Sequence, residues 1–278
     1  MDLNTITEVR RPASADAVTK WENGFAWLAG GTWLFSEPQV NTHTLIDLET
    51  LKWPALQASE DGLEIAATCR VVELDRFVEK APPDWIAAPL FRECCRSFLA
   101  SFKIWNEATV GGNICMSLPA GPMISLTVAL DGVGTIWSRD GGERQIPIVD
   151  FVTGAKTNAL TPGEILRRID LPAQTFMRRA AFRQISLTPF GRSAALLIGT
   201  LSPRDSTFAL TITASTVRPV RMSFAGLPDR PTLRERIACE IPDALYYDDV
   251  HGDPRWRKHV TPVLAEEIRQ ELSGGPAS

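Results

Sequence analysis

Two short glycine-containing segments carry the clearest capacity for chemistry in this chain. Ala29-Gly30-Gly31-Thr32-Trp33-Leu34 follows the apolar run Phe25-Ala26-Trp27-Leu28, and Ala108-Thr109-Val110-Gly111-Gly112-Asn113-Ile114 comes about 80 residues later. Glycine allows positive φ and lets backbone N–H groups approach a bulky anion with no Cβ in the way. Successive N–H groups in such a turn form a concave nest for phosphate oxygens. Either pair alone is ordinary turn punctuation. Two, each flanked by a threonine, point to two loops clamping one diphosphate. On this reading the N–H groups of Gly30, Gly31, Thr32 and Trp33 take one phosphate, and those of Gly111, Gly112 and Asn113 the other. The hydroxyls of Thr32 and Thr109 add donors. Charge-assisted hydrogen bonds of this kind are worth about 1.5–3 kcal/mol each, so several retain a ligand without a covalent link.

Other chemistries find little support. No G-x-G-x-x-G, Walker, G-x-S-x-G or H-E-x-x-H pattern occurs. The five cysteines, Cys69, Cys94, Cys95, Cys115 and Cys239, include no C-x-x-C spacing and suggest neither a disulfide framework nor a metal ligand set. The three histidines, His43, His251 and His259, sit beside no obvious nucleophile or metal partner and read as structural or surface groups. A length of 278 residues suggests two domains, and 44% hydrophobic with 22% charged residues is ordinary for a globular protein. The formal net charge of −4 gives no reason to expect nucleic acid or an anionic membrane as partner. No apolar run is long enough to span a bilayer, and Met1-Asp2-Leu3-Asn4-Thr5 is unlike a secretory signal. A reduced, cytoplasmic setting is expected.

Taken together and in order, the motifs resemble the FAD-binding medium subunit of the molybdenum hydroxylases, the xanthine dehydrogenase and carbon monoxide dehydrogenase family. A-G-G-T-x-L and T-V-G-G-N-I carry the resemblance first. Gly142-Glu143-Arg144-Gln145-Ile146-Pro147 with Asp150-Phe151, Pro162-Gly163-Glu164-Ile165-Leu166, Ala181-Phe182-Arg183-Gln184 and Trp256-Arg257-Lys258-His259-Val260 continue it. The resemblance implies FAD as cofactor, with residues 28–34 (Leu28, Ala29, Gly30, Gly31, Thr32, Trp33, Leu34), Leu99, Thr109, Val110, Gly111, Gly112, Asn113, Leu166 and Arg183 around it. Arg183 stands where the family has a cofactor-contacting lysine, and Leu99 and Leu166 where it places apolar residues near the flavin or adenine. By themselves the two leucines read as core and the arginine equally as a solvated strand residue. The resemblance also implies a molybdopterin-binding large subunit and a small subunit with 2Fe–2S clusters as partners in a heterotrimer, and an external electron acceptor. The chain departs from the pattern at Pro122, where an aspartate often bonds the ribose, at Trp33, and at Leu187-Thr188-Pro189-Phe190-Gly191, which replaces R-R-x-x-D-I-A.

Periodicity sketches the elements that must position these residues. A helix is expected over 12–22, capped by Ser14 with Ala17, Val18 and Trp21 on one face, then strands at 25–29, 45–48 and 63–67. Apolar residues at every fourth position from Ile86 to Phe102 predict one helix over 85–102. Another helix is expected over 122–130, and strands at 133–138, 145–149, 164–171, 180–185, 194–199 and 207–214. A closing helix over 254–272 should be kinked or split by Pro262. The expected class is α+β: a two-subdomain FAD-binding fold (PCMH-type) over 1–173, then a sheet-plus-helices domain over 174–278, the subdomain detail resting on the resemblance. The leading reading is an electron-transferring flavoprotein subunit. A stand-alone flavin oxidoreductase and a FAD-less structural subunit remain as alternatives.

Overall fold

A computed structural model describes residues 3–14, 21–138 and 140–274. Its strands form three sheets in chain order and one small hairpin. The first sheet is parallel, with β3 (Thr44–Asp47) between β1 (Glu8–Arg10) and β2 (Phe25–Leu28). The second has five antiparallel strands in the order β4-β5-β10-β6-β7: β4 (Leu56–Ser59), β5 (Gly62–Ala66), β6 (Val133–Trp137), β7 (Glu143–Pro147) and β10 (Ile165–Pro172). Between β5 and β6 lie α1 (Val71–Phe77), α2 (Pro89–Ser97), α3 (Phe102–Glu107), α4 (Val110–Met116) and α5 (Pro122–Ala129). After β7 comes the short α6 (Ile148–Phe151), then the hairpin of β8 (Val152–Gly154) and β9 (Thr157–Asn158). A second short helix, α7 (Ala173–Phe176), follows β10.

The third sheet is an antiparallel meander of β11 (Arg179–Ile185), β12 (Ala195–Leu201), β13 (Phe208–Thr213) and β14 (Val220–Phe224), followed by α8 (Arg230–Glu240) and α9 (Pro254–Leu272). Successive strand side chains point to opposite faces. In β12 that alternation sends Leu196 and Ile198 into the core shared with the helices around β5 and β6, and Ala195 and Leu197 into a second core under α8 and α9. The strand is buried on both faces, which explains its continuous apolar run. All eight residues of α5 are buried. Its polar groups are satisfied: Thr127 Oγ1 donates to the Met123 carbonyl at 2.7 Å, and Ser125 and Thr213 share a hydroxyl–hydroxyl bond of 2.6 Å. On α9, Val260, Leu264, Ile268 and Leu272 recur every fourth residue and face the sheet. Arg257 on the same helix is 1% exposed. Its guanidinium donates to the Gly252 and Ala214 carbonyls and pairs with Asp249, so its burial is compensated.

Several expectations change here. The helix expected over 12–22 falls largely outside the described residues. The stripe from Ile86 to Phe102 is not one helix: α2 ends at Ser97, Phe98 turns to extended backbone (φ −74°, ψ 95°), and α3 restarts after Ser101. Ile86 and Phe102, at the ends of the stripe, are exposed rather than core. The strand expected at 145–149 ends at Pro147, and the next four residues are α6. Pro262 does not split α9, which runs continuously for 19 residues. The lost N–H leaves one carbonyl a turn earlier, on exposed Lys258, open to water.

Arg144 on β7 makes a bidentate pair with Glu164, Nε to Oε1 at 2.9 Å and Nη2 to Oε2 at 2.7 Å, and the Thr161 N–H adds a bond of 2.8 Å. The Glu164 carbonyl accepts from Trp27 Nε1 at 3.0 Å, tying the first sheet to the second. Arg144 holds the Glu164 carboxyl down to about 2, against about 4.3 in an unfolded chain. A carboxyl depressed on folding stabilises fully above its unfolded value and loses that contribution as pH falls through the folded one. The urea midpoint should therefore drop between about pH 5 and 2 more steeply for the wild type than for Glu164→Gln. Equal slopes would show that the pair does not contribute.

Candidate functional site

Both glycine segments meet at one cavity of about 590 Å³. The first leaves β2 as a loop at its wall. A Cβ on Gly30 would stand 1.6 Å from the Glu107 carbonyl oxygen, so only glycine permits this approach to the chain entering the second segment. Gly31 adopts φ +67°, and its carbonyl accepts from Phe35 N at 2.8 Å to close a single turn. Gln39 Nε2 braces the loop by donating to the Leu34 carbonyl at 3.0 Å. Inside that turn the N–H groups of Gly30, Gly31, Thr32, Trp33 and Leu34 have no acceptor among the described residues. Consecutive free donors around a left-handed glycine make an anion nest.

The second glycine pair behaves differently. Thr109 is the N-cap of α4, and Gly111 and Gly112 lie in the first helical turn. Val110 N donates to the Cys69 carbonyl at 2.8 Å, Gly111 N to Ala67 at 2.9 Å and Asn113 N to Thr109 at 3.0 Å. Gly112 N donates to Thr109 Oγ1 at 3.1 Å. The N–H groups of Gly111, Gly112 and Asn113 are thus committed within the chain, which corrects the expectation that they hold the second phosphate. Gly111 is a packing glycine, since a Cβ there would lie 2.4 Å from Ala67 Cβ and 2.6 Å from its Cα. What this segment offers the cavity is side chains. The Thr109 hydroxyl keeps its own proton to donate. Asn113 Oδ1 accepts from Met123 N at 3.1 Å, and its amide nitrogen has no acceptor among the described residues.

Of the residues expected around a cofactor, 28–34, Leu99, Thr109, Gly112 and Asn113 line the cavity. Val110, Gly111, Leu166 and Arg183 are not in its wall. Val110 and Leu166 are core residues, and Leu166 packs over Gly134. Arg183 pairs instead with Glu267 at 3.0 Å and Glu271 at 2.8 Å, clasping β11 to α9. Sequence reasoning missed Trp27, Phe98, Ile104, Met116 and Leu118, which supply an apolar wall suited to flat rings. It also missed Arg192, the one charged side chain in that wall among the described residues. Among the described residues no carboxylate lines the cavity. Pro122 lines it too, as the first residue of α5, so the ribose-bonding aspartate of the family has no carboxylate counterpart there. Cys115 also faces the cavity, and burial pushes its thiol up to about 12, which keeps it protonated and poorly nucleophilic.

The glycines should separate on substitution. Gly30→Ala forces a Cβ into the Glu107 carbonyl and Gly111→Ala forces one into the Ala67 backbone, each costing about 1–3 kcal/mol or more. Gly112→Ala meets only the capping hydroxyl, 2.8 Å away, and should cost no more than a disturbed cap, about 0.5–2 kcal/mol. Thermal melts of the ligand-free variants check the order. A Gly111→Val chain as stable as the wild type would contradict the packing role.

Comparison with known proteins bears on this geometry. The family model described as the FAD-binding domain in molybdopterin dehydrogenase matches residues 6–174. Xanthine dehydrogenase from Oryza sativa subsp. japonica is 31% identical over 123 residues, 42% of this chain and 9% of that protein. The caffeine dehydrogenase subunit beta of Pseudomonas sp. (strain CBB1) is 32% identical over 114 residues, 40% of this chain and 38% of that one. The match spans less than a tenth of the length of that xanthine dehydrogenase. Among solved structures, a chain of reconstituted CO dehydrogenase from Oligotropha carboxidovorans superposes with a TM-score of 0.81 at 21% identity, covering 99% of this chain and 100% of that chain. A chain of quinoline 2-oxidoreductase from Pseudomonas putida 86 superposes with a TM-score of 0.75 at 18% identity, each chain covered completely, 100%. These two likenesses establish the fold. The family match spans most of the chain and both glycine segments, and so the chain belongs to the FAD-binding domain family of the molybdopterin dehydrogenases.

Proposed function

We propose that this chain is the FAD-binding electron-transfer subunit of a molybdenum-containing hydroxylase, standing between the 2Fe–2S clusters of a small partner subunit and an external acceptor, while a large partner holds molybdopterin and the organic substrate. The observation that carries the proposal is the cavity: free N–H donors on one glycine loop, the Thr109 hydroxyl and Asn113 amide opposite, an apolar wall and, among the described residues, no acid. That set fits a dianionic diphosphate joined to flat rings. When bound, FAD supplies the redox chemistry, which belongs to the cofactor. The chain's part is to bind and orient it. The nest fixes the diphosphate, and Gly30 holds the two segments at the right separation. Trp27, Phe98 and Met116 exclude water from the rings, and no side chain needs to move a proton.

Residues 1–173 are assigned the cofactor and 174–278 a supporting domain, which shares the core around β12 and lends Arg192 to the cavity wall. Among the described residues no group of three or more His, Cys, Asp or Glu is placed to hold a metal ion, so the proposal puts the metal centres on the partners. No helix among them is long and apolar enough to cross a membrane. Leu99 in the cavity wall, Phe102 just beyond it, and Leu187 and Phe190 on the loop before Arg192 are exposed, Phe190 by 85%. Clustered aromatic and aliphatic side chains are characteristic of interface cores, so this rim is the proposed docking face for the iron–sulfur partner. Trp33, in the wall of the cavity, is assigned to the cofactor rather than the partner.

The test has two arms. The purified chain should show flavin absorption after incubation with FAD, and acid precipitation should release the flavin to the supernatant, since the protonated Cys115 offers no attachment. Flavin retained in the pellet would contradict the non-covalent site. Tagged chain recovered from its native host should bring a molybdopterin subunit and a ferredoxin-like subunit, and alone should oxidise no organic substrate. Full activity of the isolated chain would favour a self-contained flavin oxidoreductase.

A further inference from the structure

Lys156 stands at the tip of the β8–β9 hairpin in left-handed backbone, φ +59°. Its N–H donates to the Ser117 carbonyl at 2.8 Å. Asn158 Nδ2 donates to the Cys115 carbonyl at 2.7 Å and to Ser117 Oγ at 3.3 Å. The hairpin is thereby pinned to the end of α4, whose Cys115 and Met116 line the cavity. From there the Lys156 ammonium reaches the opposite wall and lies 5.4 Å from the centroid of the Trp33 ring. Trp33 belongs to the loop with the free N–H groups. One side-chain contact therefore joins the hairpin, from outside the cavity wall, to the first glycine loop.

The charge is uncommitted. Lys156 is exposed, and among the described residues no carboxylate lies within ion-pair distance of it. A lysine on an open surface has many rotamers, but an indole face fixes the ammonium while leaving its N–H donors free. The second glycine segment has spent its N–H groups on Ala67, Thr109 and the Thr109 cap, so it offers an anion side chains rather than backbone donors.

We infer that Lys156, held over the Trp33 ring at the edge of the cavity, is a cation that retains the diphosphate of the bound dinucleotide beside the first glycine loop, adding to Arg192 of the wall the charge that the committed N–H groups of the second glycine segment do not supply. This rests on the FAD reading above. Lys156 acts as a positioning residue: it touches no redox-active atom and takes no part in electron flow.

Lys156→Met, Lys156→Arg and the wild-type full chain are titrated with FAD by fluorescence at several salt concentrations, with thermal melts of the flavin-free chains as a folding control. Lys156→Met should weaken FAD binding about tenfold and give a shallower salt dependence, because one screened ionic contact is gone. Lys156→Arg should restore most of the affinity and the slope. Unchanged affinity in Lys156→Met would overturn the inference while leaving the cofactor reading intact. Lowered affinity with an unchanged salt slope would also overturn it, since Lys156 would then act by packing alone. A wild-type chain that takes up no FAD would bring down the cofactor reading and the role of Lys156 together.

Discussion

The approach of Gly30 to the Glu107 carbonyl is the contact on which the site depends. A backbone-to-backbone contact this close admits no Cβ. It brings a loop of the parallel sheet against the chain that enters α4, and so places the free N–H groups of residues 30–34 across from Thr109 and Asn113. Side chains at a joint of this kind repack when they change. A backbone contact has no such freedom, which makes the spacing of the two walls a property of the main chain. The Trp27–Glu164 bond and the Arg144–Glu164 pair brace the same joint from behind.

The two glycine pairs look alike and do different work. Backbone donors in a protein interior are nearly all paired, so the useful question at each pair is where its N–H groups go. At 30–34 they go to no described acceptor, and the loop is open to a ligand. At 111–113 they go to Ala67 and Thr109, and the absent side chains serve close packing and helix capping instead. The anion-binding character of the cavity is therefore lopsided, with main chain on one wall and side chains, Thr109, Asn113 and Arg192, on the other.

Much of this architecture was legible. The apolar run of β12, the alternation of β13 and the every-fourth-residue stripe of α9 are direct signals of burial, and each forms where expected. Other elements gave little sign. Only Leu233 and Ile237 of α8 are buried, too few for a recognisable stripe among its charged residues. β14 alternates well, with Val220 and Met222 inward, but follows Pro219 closely and is only five residues long. The stripe across 86–102 misled because periodicity reports which side chains are apolar, not whether the backbone stays helical, and Phe98 leaves the helix. At the site, the glycines were visible as residues, but their hydrogen-bond partners, Ala67 above all, come from distant sequence. Arg192, Phe98 and Met116 carry no local signature of a cavity wall. The ion pairs of Arg183 carry no local signal either, because its partners, Glu267 and Glu271, lie on the last helix.

One wall of the cavity continues from the parallel sheet and the other is built from the helical segment between β5 and β6, while the third sheet has a second core under α8 and α9. A ligand that touches both walls adds its binding free energy to the joint between them, in proportion to the logarithm of its concentration over its dissociation constant. Occupancy is thus felt unevenly along the chain. Amide protons of the parallel sheet and the first glycine loop would exchange more slowly as the ligand is raised, while those of α8, on the far side of the second core, would respond only to global opening. A ligand in this cavity would be mortar between two units of the fold.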